Sequence, residues 1–184
     1  EQTTNLLLTN LNRASDLITS FKQVAVDQTS EAERVFNLNN YLHEILQSLG
    51  PSFKHTQHQV NVQCPDGLYI RSAPGIIAQV ITNMIMNSII HGFENMPDGH
   101  IDIVVKQDGE DVLLTYQDDG CGIPADQLSR LFDAFFTTKR GEGGSGLGTH
   151  IMYNLVTQAL DGNIEARSEP GKGLRYELRF PART

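Results

Sequence analysis

Apolar side chains at Leu7, Leu11, Ala14, Ile18, Phe21 and Ala25 recur at alternating steps of four and three. That is a heptad seam, and it predicts a long helix over residues 3–29. Such a stripe needs an apolar surface opposite it. Two readings stay open: the helix packs on its own domain, or it is one limb of a helical dimerisation bundle whose other limb lies outside the chain. "SEAERV" at 30–35 reads as a charged connector. "NNYLHEILQSLG" at 39–50 is helical and closes at Gly50 and Pro51. Alternation in "HQVNVQ" and "LYIRS" around Pro65, Asp66 and Gly67 predicts a hairpin. Residues 74–92 follow as a helix. "HIDIVVKQ" and "DVLLTYQD" flank "DGE" as a second hairpin. Helices are expected near 124–133 and over 146–160, and "NIEARSE" and "LRYELRF" close the chain as strands around "PGKG". With hairpins as the main strand connections, the pattern predicts an α+β layered fold, not a doubly wound parallel sheet.

Composition narrows the function classes. The chain has 184 residues, 39% hydrophobic and 20% charged, which suits one buried domain with an appended element. Its net charge of −8 argues against a nucleic-acid surface, because phosphates are bound by clustered Lys and Arg. It does not exclude a nucleotide, whose phosphates can be met by backbone N–H groups and a metal. Cys64 and Cys121 make neither a disulfide framework nor a zinc spacing, so a reducing, cytoplasmic compartment is expected. No apolar run reaches the roughly 20 residues of a membrane helix. The chain opens at Glu1 and reads as a fragment, and a membrane anchor could belong to the part upstream.

Three stretches carry candidate chemistry. In "TNMIMNSIIHGF", Asn83, Asn87 and His91 (or Ile90) recur every four residues, which places the polar groups on one helix face among apolar neighbours. Such amides need partners. Either neighbouring backbone supplies them, or Asn87 gives its oxygen to Mg²⁺ with His91 near phosphate. In "QDDGCGIP", a strand delivers Asp118 to a turn in which Gly120 and Gly122 leave bare backbone. A carboxylate there can accept a hydrogen bond from the exocyclic amine of adenine. A turn with no ligand is the plainer alternative, and Cys121 is given no role. In "GEGGSGLGTHIMYNLV" the glycines precede a helix whose first turn can aim N–H groups at phosphates. Between these stretches, "LFDAFFTTKRG" offers Phe135 and Phe136 as loop anchors and Thr137, Thr138 and Lys139 as anion contacts.

Taken in order, these segments resemble the ATP-binding catalytic domain of sensor histidine kinases, of the GHKL superfamily. "NMIMNSIIHGF" is similar to the asparagine box, "DDGCGI" to the first glycine box, "LFDAFFTTK" to the phenylalanine box and "GGSGLGTHI" to the second glycine box. The resemblance implies a two-layer sandwich, three helices on a mixed and largely antiparallel sheet, with ATP held beneath a lid. Residues 31–184 would be the catalytic domain, and 1–30 the second helix of a truncated dimerisation hairpin. It implies Asn87 as the Mg²⁺ ligand and Asp118 as acceptor of the adenine amino group, with Gly120 and Gly122 against the base. Gly144, Gly146 and Gly148 would form the lid hinge and helix start, with Ser145, Leu147 and Thr149 beside them. Phe136, Thr137, Thr138 and Lys139 would close over the nucleotide. Asn83, His91 and Lys139, with Asn87, would be the catalytic set. Asn83 stands where related ATPases carry a catalytic glutamate, and an amide is a poor general base, so water attack is disfavoured.

Two positions depart from that pattern. Ile90 replaces a common Lys, and His91 is one step further on. Leu174 follows Gly173 where a Thr hydroxyl often supports the adenine-binding Asp, so another group, water for instance, is expected to take over. The implied partners are ATP, the chain's own dimerisation and phosphoacceptor domain, and a response regulator, with a homodimer for the full-length protein. The acceptor histidine is expected upstream. His43-Glu44-Ile45 resembles the start of the phosphoacceptor box, but Pro51 comes too late and the heptad helix lies on the wrong side. Alternatives are a nucleotide-binding scaffold that has lost transfer and an anti-sigma-type serine kinase, which lacks the heptad helix and the "FFTTK" segment.

Overall fold

A computed structural model describes residues 32–137 and 146–183. The heptad helix expected over 3–29 lies outside the described residues, as do Thr138, Lys139, Gly144 and Ser145. No described helix is long and apolar enough to cross a membrane.

The chain enters through strand β1, Arg34–Asn37, and turns directly into helix α1, Leu38–Ser48. Asn37 caps that helix by accepting from the Asn40 N–H at 2.9 Å, and Leu38, Leu42 and Ile45 form its buried stripe. A short helix α2, Gly50–Phe53, leads to strands β2, Gln59–Gln63, and β3, Tyr69–Ser72. Helix α3, Pro74–Asn87, starts with Pro in its first turn and continues as a wide π-turn over Ser88–Gly92. Strands β4, His100–Asp108, and β5, Asp111–Asp118, form the expected hairpin, with Gly109 at a φ of 64°. Helix α4, Ala125–Leu128, is followed across the cleft by α5, Gly148–Asn154, itself extended by a π-turn over Leu155–Ala159. Strands β6, Asn163–Ser168, and β7, Leu174–Pro181, close the fold.

Five strands make one sheet in the order β2-β4-β5-β7-β6, antiparallel except for the parallel β2–β4 pair. Its inner face is built by period-2 alternation: Ile101, Ile103 and Val105, then Val112, Leu114 and Tyr116, then Tyr176, Leu178 and Phe180. Helices α1, α3 and α5 bury their apolar sides on that face in one continuous core. The α+β sandwich of three helices on a mixed, largely antiparallel sheet is therefore the observed architecture.

Three expectations need correction. First, β2 and β3 do not form a hairpin: β2 pairs with β4, with Val60 opposite Ile101, and β3 pairs antiparallel with β1, with Ile70 opposite Phe36. The turn at Asp66 is captured by the start of α1. Asn37 Nδ2 donates to the Asp66 carbonyl at 2.5 Å, Asn39 Nδ2 donates to its carboxylate at 2.9 Å, and Leu38 N–H donates to the Leu68 carbonyl at 2.9 Å. Those bonds turn the chain away from β2. Second, the connector reading of 30–35 ends too late, because Arg34 and Val35 already belong to β1. Third, the helix near 124–133 stops at Leu128. It gives way to short turns in which Arg130, Leu131 and Asp133 donate to residues three back.

Candidate functional site

The C-terminal half of α3, the end of β5 and the start of α5 enclose a cleft of about 270 Å³. At one end stands Asp118, the last residue of β5, only 2% exposed yet part of the cleft wall. Burying a carboxylate requires donors. Its Oδ1 accepts from the Gly120 and Leu174 backbone N–H groups, each at 3.0 Å, and its Oδ2 accepts from Ser88 Oγ at 2.5 Å. The hydroxyl that Leu174 lacks is thus supplied by Ser88, and the Leu174 main chain adds a donor of its own. A water is not needed for that support.

Ser88 has a partner behind it. Its oxygen lies 2.7 Å from the Tyr116 hydroxyl, which also donates to the Met84 carbonyl at 3.1 Å. Burial pushes the Tyr116 pKa well above its ordinary value; the bond to Ser88 pulls it partly back and the Asp118 charge raises it further. Sequence reading missed Ser88 and Tyr116. Their signal was the strand period, since Tyr116 and Asp118 are two apart and share a face.

The glycines around Asp118 answer first to main-chain packing. A Cβ on Gly120 would lie 2.6 Å from the Gly92 carbonyl oxygen. One on Gly122, whose φ is 71°, would lie 2.0 Å from the Glu169 carbonyl oxygen. Cys121 N–H donates to the Gly92 carbonyl at 2.8 Å, and Gly171 N–H donates to the Cys121 carbonyl at 2.7 Å. The loop is therefore clamped between the π-turn of α3 and the β6–β7 turn, and Gly122 and Cys121 face the cleft. The Cys121 side chain is exposed there.

At the other end, the two asparagines of α3 converge on the first residue of α5. Asn83 Nδ2 donates to the Gly148 carbonyl at 3.3 Å, and a Cβ on Gly148 would lie 3.9 Å from both Asn83 Oδ1 and Asn87 Oδ1. Asn87 Nδ2 is buried without a hydrogen-bond partner of ordinary geometry, and so is the hydroxyl of Tyr176 on β7. Burial and then the Asp118 charge raise the Tyr176 pKa far above its usual value, and the Asn87 amide opposes that rise. The Asn87 oxygen lies at the start of α5. His91 also lines the cleft, but it does not continue the every-fourth-residue face. The π-turn after Asn87, in which Phe93 N–H donates to the Ser88 carbonyl at 2.7 Å, inserts an extra residue into the repeat.

Phe136, Thr137, Gly146 and Thr149 line the cleft, while Leu147 is buried behind it. Gly146 has a φ of 69°, and a Cβ there would lie 2.6 Å from the Phe135 carbonyl carbon. That contact sets the main chain of 135–136 directly against Gly146. Phe135 itself is 50% exposed and anchors nothing within the described residues; Leu131 and Phe132 do the packing, and the Arg130 guanidinium sits 4.8 Å from the Phe136 ring centre. His43 lies on the exposed side of α1 with Nδ1 at 2.8 Å from the Asn39 carbonyl.

A divalent cation fits the Asn end. Mg²⁺ takes amide oxygens and keeps water and phosphate oxygens as its remaining ligands, and Asn87 Oδ1 is an oriented amide oxygen beside a helix start. Among the described residues there is no cluster of three or more His, Cys, Asp or Glu, so substrate phosphates and water would complete the shell.

Comparison with known proteins agrees with this architecture. The chain is 29% identical over 184 residues to Sporulation kinase A of Bacillus subtilis (strain 168), covering 96% of this chain and 28% of that protein. It is 31% identical over 190 residues to Sensor histidine kinase RcsC of Salmonella typhimurium, covering 95% of this chain and 19% of RcsC. It therefore spans less than a third of the length of these relatives. Among solved structures, the catalytic domain of histidine kinase ThkA superposes with a TM-score of 0.71 at 22% identity, over 83% of this chain and 97% of that one. Full-length ShkA in complex with AMPPNP superposes at 0.72 and 20% identity, over 98% of this chain and 39% of ShkA. Residues 73–184, more than half of the chain, match a described family, and the chain belongs to it: the histidine kinase-, DNA gyrase B- and HSP90-like ATPases.

Proposed function

We propose that residues 31–184 are the ATP-binding catalytic domain of a two-component sensor histidine kinase. The domain would transfer the γ-phosphate of ATP to a histidine on a dimerisation domain for relay to a response regulator. The observation that carries this reading is the two-ended cleft. A buried carboxylate with its protein-facing sides already occupied borders one end, and oriented amide oxygens border the other at a helix start. The first suits the amino edge of adenine; the second suits a metal-bound triphosphate.

Each residue's work follows from its contacts. Asp118, held by three donors, accepts the purine amino group without moving. Gly122 and Gly92 keep that wall flat. Asn87 Oδ1 would hold Mg²⁺, which supplies charge neutralisation at the phosphates when bound. Asn83 pins the Gly148 carbonyl and so fixes the first turn of α5, whose N–H groups face the phosphates. Asn83 is also a poor base, which keeps water from competing with the histidine acceptor. Thr137 and Thr149 border the phosphate end, and Thr138, Lys139 and Ser145 would join them from the lid. Positioning of this kind supplies most of the catalysis in phosphoryl transfer. The response regulator and a homodimer belong to the same proposal, as does a cytoplasmic site of action.

Calorimetry with a nonhydrolysable ATP analogue tests the site. The chain should bind it more tightly with Mg²⁺ than without. Asn87→Ala should abolish that difference. Asp118→Asn should weaken binding roughly tenfold or more, as for loss of a hydrogen bond to a charged group. The Asp118→Asn chain should still fold, because the Ser88 hydroxyl can turn to accept from the new amide. With labelled ATP the chain alone should acquire no phosphohistidine, yet it should label a supplied dimerisation hairpin from its own full-length protein. Binding without transfer to that hairpin would favour a scaffold, and no binding at all would remove the reading.

A further inference from the structure

Tyr116 on β5 and Tyr176 on β7 are directly paired across the sheet, and both are 0% exposed. Their ring centres lie 6.1 Å apart. A pair of phenylalanines would fill the same volume without burying two hydroxyls, each of which costs free energy unless it finds a partner. The two hydroxyls meet different groups. Tyr116 lies 2.7 Å from Ser88 Oγ, and the Ser88 proton is committed to Asp118 Oδ2 at 2.5 Å. The Ser88 oxygen must then accept, so the proton in the 2.7 Å contact comes from Tyr116, which shares it with the Met84 carbonyl. Donation runs in one direction, from Tyr116 to Ser88 to Asp118.

Tyr176 lines the cleft itself. Its hydroxyl and Asn87 Nδ2 are both buried among groups that leave each without a hydrogen-bond partner. A carboxamide can sit either way round with nearly the same shape. With its nitrogen toward the phenol oxygen of Tyr176, Asn87 presents its oxygen at the start of α5, where a cation would take it. Reversed, it would present N–H donors to that cation.

We propose that Tyr116 and Tyr176 are a pair of positioning residues. Through Ser88, Tyr116 fixes the purine-reading carboxylate of Asp118, and Tyr176 fixes which atom of Asn87 faces the metal. This deepens the nucleotide reading above and rests on it. The two tyrosines have separate duties, so their losses should separate as well.

The test titrates the 184-residue chain and its Tyr116→Phe and Tyr176→Phe variants by calorimetry with two probes. One is adenosine; the other is a nonhydrolysable ATP analogue, with and without Mg²⁺. Tyr116→Phe should weaken both probes by the same factor, roughly three- to tenfold as for one intramolecular hydrogen bond, and leave the Mg²⁺ enhancement intact. Tyr176→Phe should leave adenosine affinity unchanged and cut the Mg²⁺ enhancement by about the same factor. Ser88→Ala is the second probe of the purine end and should repeat the Tyr116→Phe pattern if that variant folds poorly. Variants that match the wild type in both readouts, or lose both alike, overturn the proposal while leaving the nucleotide reading in place. A wild-type chain that binds neither probe overturns both.

Discussion

The turn between β6 and β7 carries two glycines in unlike surroundings. Gly171 and Gly173 both have positive φ, 78° and 74°. An alanine at either position bears the strain of a left-handed backbone, about 1–2 kcal/mol, offset in part by a less flexible unfolded chain. Their surroundings differ. Nothing lies within 4 Å of a Cβ on Gly171, whereas a Cβ on Gly173 would sit 1.9 Å from the Asp118 carbonyl oxygen and 3.0 Å from Asp118 Oδ1. To restore ordinary contact the turn must recede by more than an ångström. Leu174 N–H, which donates to Asp118 Oδ1 at 3.0 Å, is the next residue and must recede with it. That removes one charge-assisted hydrogen bond, worth about 1.5–3 kcal/mol, and the carboxylate loses one of its three anchors.

Gly173→Ala should therefore cost about 2–4 kcal/mol, a large share of a domain's stability. Gly171→Ala should cost about 1 kcal/mol. Urea unfolding followed by circular dichroism reads the first difference. Calorimetric titration with the ATP analogue and Mg²⁺ reads the second: Gly171→Ala should bind as the wild type does, and Gly173→Ala should lose tenfold or more. If the two variants unfold within about 0.5 kcal/mol of each other and bind alike, the claim that this turn holds the Asp118 carboxylate is wrong.

Two further outcomes follow from burial. Tyr116 and Tyr176 are neutral in the fold with pKa values raised from 10.0, and burial followed by the Asp66 charge lifts the Cys64 thiol from 9.0 to about 11. The unfolded chain loses these protons first, so the stability they contribute is complete below pH 9. It falls as pH rises, through Cys64 between 9 and 11 and through the tyrosines above 10. Each tyrosine steepens the fall by about 1.4 kcal/mol per pH unit, with Cys64 adding less because it is half exposed. Denaturant midpoints that stay flat from pH 8 to 11 would contradict this. At pH 8, a disulfide thiol reagent should react first at Cys121, which is exposed on the cleft wall, and slowly at Cys64. Saturating Mg²⁺ and ATP analogue should slow the Cys121 reaction; preferential labelling of Cys64, or no protection, would move the nucleotide away from that wall.

The legible part of this fold was local. Alternation along 100–118 gave both strands and their turn, and the Asp and Gly residues at 118–122 gave a tight bend carrying a carboxylate. Pairing was not local, so it was not legible. "HQVNVQ" alternates whether it meets "LYIRS" or the distant "HIDIV", and the choice was made by Asn37, Asn39 and Leu38 seizing the Asp66 turn. Nor does any residue announce the π-turn at 88–92 that takes His91 off the face of Asn83 and Asn87. The glycines were legible only as a demand for close approach. What approaches Gly120 and Gly122 is the main chain of Gly92 and Glu169, before any ligand enters.

The Leu174 position shows the limit of reading a motif one residue at a time. In sequence, it records a lost hydroxyl beside the carboxylate that should read adenine. In space, the end of α3, the end of β5 and the start of β7 meet at Asp118, and any of them can present a donor there. Ser88 does so from the π-turn that continues α3, at 2.5 Å, and Leu174 does so from β7 with its backbone. What the site requires is a count of donors around one buried charge, because an unsatisfied carboxylate in that position would cost more than the fold could spare. Which side chain provides each donor is free to change, provided Tyr116 or an equivalent keeps Ser88 turned toward the carboxylate.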